Sequence, residues 1–199
     1  MSTLEPFAAL AESPWILVIL FAWGVGEALV LPVVPDVLIG ILAMAAPERA
    51  PMLLGAAILG GVLGALAAWR MYSVSPVAGE RVLALQPGLG QRGLDAAERR
   101  LRQRGLVAGF AQVGPGLPLK AYLHALAAVA PQRPPGTVAG LALVNRLTRL
   151  VPVTLVFAAL HPLAQSSGWS PPLLPAVYAT GWIVFYAAYW IARDPRRGG

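Results

Sequence analysis

Uncharged runs of helical length, cut by a few isolated charges, set the pattern of this chain. Residues 14–46 carry no charge apart from Glu27 and Asp36, and Met52 to Trp69 is an unbroken run of 18 uncharged residues. At 1.5 Å per residue that second run is about long enough to cross a bilayer. A polar stretch follows from Ser73 to Gly105, then an apolar run, 106–130, interrupted by Lys120. After a turn at 131–136, residues 137–160 form a helix-length run holding Asn145, Arg146 and Arg149, and 171–192 form the last apolar run. The pattern predicts an all-α integral membrane protein, one membrane domain over 1–199, with crossings within 52–69, 137–160 and 171–192.

Two runs are too broken to cross. Pro32 and Pro35 cut the first, and the 11 residues from Asp36 to Ala46 make about 16 Å of helix against a hydrocarbon core of about 30 Å. In the third, Pro115, Gly116 and Pro118 separate arms at Leu106–Gly114 and Leu119–Ala130, about 13 and 18 Å long. Both read as re-entrant hairpins with non-helical tips at membrane depth, a geometry tolerated where the tip is buried in protein or lines a wet cavity.

Basic residues orient the chain. Six arginines lie in 73–105, and Arg193, Arg196 and Arg197 lie in the tail, so the connector 74–105 and the C-terminus are expected in the cytoplasm of a bacterial inner membrane. Glu5 and Glu12, with no Lys or Arg among residues 1–13, put the N-terminus outside and argue for a retained first segment. Segments 14–73 and 106–160 then read as the same order, hairpin then spanning helix, entering from opposite sides: two inverted repeats, with 171–192 as an extra transmembrane helix.

Composition narrows the function. Only 12% of residues are charged and 57% are hydrophobic, against about 25% charged in soluble domains. That excludes an ordinary soluble enzyme and a nucleic-acid-binding surface, despite the net charge of +6. The absence of cysteine removes disulfides and thiolate metal sites. No phosphate loop, nucleophile elbow or metal-ligand pattern occurs, and Pro87–Gly93 reads as a Gly-rich loop. No enzyme activity, metal or cofactor is expected.

The charges at membrane depth therefore carry the chemistry. Each costs about 2.5–3.5 kcal/mol at a helix centre. Arg146 and Arg149, three apart and flanked by Asn145, share one helix face, and Glu27 and Asp36 are their natural partners. One reading is a buried ion-pair network with no transport role. The other makes the arginine pair and Lys120 a seat for a phosphate, aided by the amides of the helix after Pro118, with Glu27 and Asp36 exchanging protons or gating the site. His124 and His161 read as interface residues, Arg70 as a snorkelling end residue and Asp95–Arg104 as a solvated basic helix. Tyr178, Trp182, Tyr186, Tyr189 and Trp190 lie along the last run, Trp and Tyr near its C-terminal end fitting an interfacial belt, and Gly60 with Gly64 marks a site of close helix approach.

Glu27-Ala-Leu-Val-Leu-Pro32-Val-Val-Pro35-Asp36-Val37, the Gly-rich helix 55–72, Pro118-Leu119-Lys120 after Gly109-Phe110, and Asn145-Arg146-Leu-Thr-Arg149 together resemble the DedA superfamily. It is also called the VTT or SNARE-associated membrane protein family, and the likeness is to its short YqaA-like branch, over about residues 20–160. The resemblance implies paired re-entrant hairpins and a lipid translocase or scramblase, moving phospholipid or polyprenyl-phosphate headgroups between leaflets, with Glu27, Asp36, Arg146 and Arg149 functional. Anionic lipids are then the partners, with proton linkage and self-association open. A small-anion transporter and a purely structural membrane protein are the alternatives.

Overall fold

Proline opens most of the long helices, where its missing N–H and fixed φ suit the first turn. The computed structural model describes residues 4–84, 89, 91–111, 117–166 and 173–192, and the secondary structure among them is helical. In chain order the helices are α1 (Glu5–Glu12), α2 (Pro14–Leu29), α3 (Asp36–Ala45), α4 (Ala50–Val74), α5 (Pro76–Ala84), α6 (Gln91–Arg104), α7 (Leu106–Phe110), α8 (Leu119–Val129), α9 (Pro135–Ala159), α10 (His161–Ser166) and α11 (Leu173–Ala192). A 3-10 turn, Pro47–Arg49, joins α3 to α4.

Two continuous helical stretches, Pro47–Val74 and Pro135–Ser166, are long and apolar enough to cross a membrane, and the pair α1 and α2, bent by 82°, makes a third if taken as one span. By length and composition these helices suggest a membrane protein. The last predicted run is helical as α11, but its apolar part, Leu173–Tyr189, is shorter than the two long spans.

The N-terminal residues differ from expectation. Residues 5–12 were expected only to lie outside as an acidic segment, whereas they form α1, whose buried Ala11 joins Leu4 in packing on α3. Arg49, the one basic residue in an otherwise non-basic turn, bonds the Ala11 carbonyl and lies 3.6 Å from Glu12. The polar connector also does more than link: α5 and α6 fold back, burying Leu83, Ala97 and Leu101 against the core. The first arm of the second predicted hairpin ends as helix at Phe110, and its tip residues Pro115 and Gly116 lie outside the described residues, as do Arg193, Arg196 and Arg197.

The two 25-residue helices α4 and α9 form the centre. They run antiparallel. Leu53 and Ala57 from the start of α4 share a core with Leu150 and Phe157 from the later part of α9, while Ala65, Ala68, Trp69 and Tyr72 share another with Val138, Leu141 and Ala142.

The shorter helices are arranged crosswise about this pair. α2 lies parallel to α4 at very close range: a Cβ on Gly60 would overlap the Phe21 carbonyl, and one on Gly64 would fall 2.7 Å from the Val25 carbonyl. Gly60 and Gly64 thus form the close-approach seat that their spacing predicts. α2 stops beside the middle of α4. After the break at 30–35, α3 continues along the other long helix, with Asp36 against Arg149, Gly40 against Phe157 and Met44 against His161. The second half mirrors this: α7 packs on α9 and α8 on α4.

Candidate functional site

Between the two apolar cores lies a layer of charge. Glu27, Asp36, Lys120, Asn145 and Arg146 are each 4% exposed or less, whereas the Arg149 side chain is 23% exposed. Burial of unpaired ions on this scale would be prohibitive, and the layer is built to avoid it. The Arg146 Nη2 donates to the Glu27 carboxylate. One turn along α9, Arg149 Nε donates to Asp36 Oδ2 at 3.3 Å. Glu27 also interacts electrostatically with Arg149 and Lys120, so the two pairs and the lysine form one cluster.

Each member is placed by a local device. Pro35 ends the break and caps α3, putting Asp36 in the first turn of that helix; Pro118 caps α8 and puts Lys120 in its first turn. Lys120 Nζ then reaches across to donate to the Leu31 carbonyl at 2.8 Å. Asn145 Nδ2 donates to the Phe110 carbonyl at the end of α7, also at 2.8 Å. Arg146 lies against Gly61: a Cβ there would stand 2.5 Å from its Nε. Any side chain larger than hydrogen would displace the guanidinium.

Three backbone groups of the break beside the site are held by side chains from α2, α8 and α11. An open backbone kept from water needs protein partners for its polar groups. Trp23 Nε1 donates to the Val33 carbonyl at 2.9 Å, Lys120 takes the Leu31 carbonyl, and the Val34 N–H donates to the Tyr186 hydroxyl at 2.9 Å. Tyr178 donates to the Val37 carbonyl just inside α3. Pro32 is exposed at this break, and Pro35 is buried.

Charge is not balanced. Lys120, Arg146 and Arg149 carry three positive charges, and Glu27 and Asp36 carry two negative ones. Several polar atoms keep no hydrogen-bond partner: Arg146 Nε and Nη1, Asp36 Oδ1 and Asn145 Oδ1. The two arginines also differ in access. Arg146 is buried against Gly61 of α4, while Arg149 is partly exposed and interacts electrostatically with Tyr186 of α11.

All six residues expected to form the site, Glu27, Asp36, Lys120, Asn145, Arg146 and Arg149, meet in this layer. His124 and His161 do not. His124 packs edge-on against Tyr72, ring centroids 5.6 Å apart, and His161 Nδ1 bonds the Met44 carbonyl. Arg70 is exposed in the C-terminal part of α4, before its last turn. The hydroxyls of Tyr178 and Tyr186 turn inward, to Val37 in α3 and to Val34 in the break. Their spacing of eight, two turns on one helix face, was the available signal. Gly61 and Trp23 carry no signal that a pattern of charges reveals. Among the described residues no group of His, Asp and Glu is arranged to hold a metal ion.

Comparison of the chain with protein-family models, with curated proteins and with solved structures finds no match.

Proposed function

We propose that this chain is a DedA-like lipid translocase of the bacterial inner membrane, carrying anionic headgroups between leaflets through the charged layer. In this reading α2 with α3, and α7 with α8, are re-entrant hairpins of two inverted repeats. α4 and α9 are the spanning helices, α11 is a further membrane helix, and the connector 74–105 faces the cytoplasm. One observation carries it: two ion pairs and a lysine, with one positive charge in surplus, lie midway along two antiparallel helices of membrane length.

The physical roles follow. A phosphate or phosphodiester needs cationic donors at the depth where its desolvation is most costly, and Arg149 is the partly accessible one. Asp36 holds that guanidinium until an anion displaces the carboxylate. Glu27 and Arg146 form the enclosed anchor behind it. No bond is made or broken, so no enzyme chemistry or cofactor enters.

The test is reconstitution of the purified chain in vesicles with a labelled phospholipid or a labelled polyprenyl phosphate in one leaflet. Transfer well above protein-free vesicles, lost in Arg149→Ala while the protein stays folded, supports the reading. Transfer at background for both lipids sinks it. Flux of inorganic phosphate following a pH gradient without lipid movement would instead identify a small-anion transporter.

A further inference from the structure

α11 differs from every other long helix in how it is attached. Eight of the ten residues of α3 are buried, whereas no described side chain of α11 is. Val177, Ile183 and Val184 face outward at 50%, 68% and 60% exposure. A helix with so little buried area belongs to the weakly held end of a structure. Its inner face presents Tyr178, Trp182 and Tyr186, packed through ring contacts to Phe157 and to one another.

Two hydroxyls on that face join α11 to the backbone that flanks Asp36. Tyr186 accepts the Val34 N–H on one side, and Tyr178 donates to the Val37 carbonyl on the other. Tyr186 also interacts electrostatically with Arg149 and Asp36. α3 receives the helix at Gly40, where a Cβ would stand 2.5 Å from the Tyr178 hydroxyl.

The geometry points to α11 as a side gate, latched by Tyr178 and Tyr186 to the break and opening the Asp36–Arg149 pair toward the surrounding lipid. The chemistry of release is an exchange of acceptors. The Val34 N–H cannot be left unpaired in hydrocarbon, but a phosphate oxygen beside Arg149 can accept it in place of the tyrosine hydroxyl. The Val37 carbonyl lies within α3 and keeps a helical acceptor role without Tyr178. An anionic headgroup therefore opens the gate that admits it, a deepening that rests on the translocation reading for its ligand and not for its motion.

The chain has no cysteine, so spin labels can be placed without background at Leu59→Cys on α4 and Ile183→Cys on α11, both exposed positions. Distances between the labels are measured in nanodiscs of phosphatidylcholine alone, with phosphatidylglycerol added, and with inorganic phosphate in the buffer. Tyr178→Phe/Tyr186→Phe should raise the population at the longer distance, by roughly fivefold per hydroxyl removed. Phosphatidylglycerol should raise it in the parent, and a response to inorganic phosphate alone would assign the trigger to a free anion. An unchanged distribution in the double variant, or in Tyr186→Phe where the double variant does not fold, overturns the gate. A shift without lipid transfer keeps the gate and removes the translocation reading; transfer without a shift does the reverse.

Discussion

Gly61 and Arg146 occupy the same place in their two helices and touch there. Each is the twelfth residue, counting from Ala50 in α4 and from Pro135 in α9, and the guanidinium of one fills the space left by the missing side chain of the other. The register holds along the helices: Gly55 matches Gly140, Gly60 matches Asn145 and Gly64 matches Arg149. Asn145, Arg146 and Arg149 of one long helix thus correspond in position to Gly60, Gly61 and Gly64 of the other.

Gly61→Ala should therefore push Arg146 off Glu27, lowering stability by about 1–3 kcal/mol as for other overpacked sites. Gly55→Ala, with open space around its Cβ, should be neutral or gain up to about 1 kcal/mol from helix propensity. Thermal unfolding of the two variants in detergent separates them; equal melting temperatures would remove the steric argument.

Breaking the enclosed pair should cost more than removing it. Glu27→Gln leaves Arg146 buried without a counter-ion, at about 3–5 kcal/mol, whereas Glu27→Gln with Arg146→Gln should cost less than the sum of the two single changes. A double-mutant cycle on unfolding reads the coupling. Additive costs would mean that the pair does not act as a unit.

The two arginines should part company. Arg146, at 1% exposure, is expected to affect mainly folding yield, and Arg149, at 23%, mainly transfer in vesicles. Arg149→Lys keeps the charge but loses the planar fork, and should reduce transfer about tenfold with stability changed by less than about 1 kcal/mol. Equal losses of yield for both arginines would leave no distinct role for Arg149.

Orientation is testable with an impermeant thiol reagent. A cysteine at Gln103 in the exposed face of α6 should label only from the cytoplasmic side, and one at Glu48 only from the opposite side. Labelling of both from one side would refute the inverted arrangement.

The charge layer was readable from sequence because ions in an apolar run must find each other: Glu27, Asp36, Arg146 and Arg149 had few other partners. The long helices were readable for the same reason of composition, and Pro35 and Pro118 announced the starts of α3 and α8. The helical state of residues 5–12 was not, because a short segment with two acidic residues takes its shape from packing on α3, and no local pattern records that contact. Nor did the pattern show that α2 and α3 diverge onto different long helices, since periodicity gives a buried face without naming the neighbour. The inward turn of the Tyr178 and Tyr186 hydroxyls was not readable, because the periodicity of an apolar run does not say which backbone group a tyrosine meets.

The six residues from Val30 to Pro35 have one more property. Three of their backbone groups, the Leu31 and Val33 carbonyls and the Val34 N–H, are held by Lys120 from α8, Trp23 from α2 and Tyr186 from α11, and in the proposed membrane setting the surrounding medium supplies no substitutes. Shifting any one of these helices strands a donor or acceptor in the same short segment. In the proposed membrane arrangement the break is therefore a mechanical junction, through which displacement of α8 is felt by α2 and by α11.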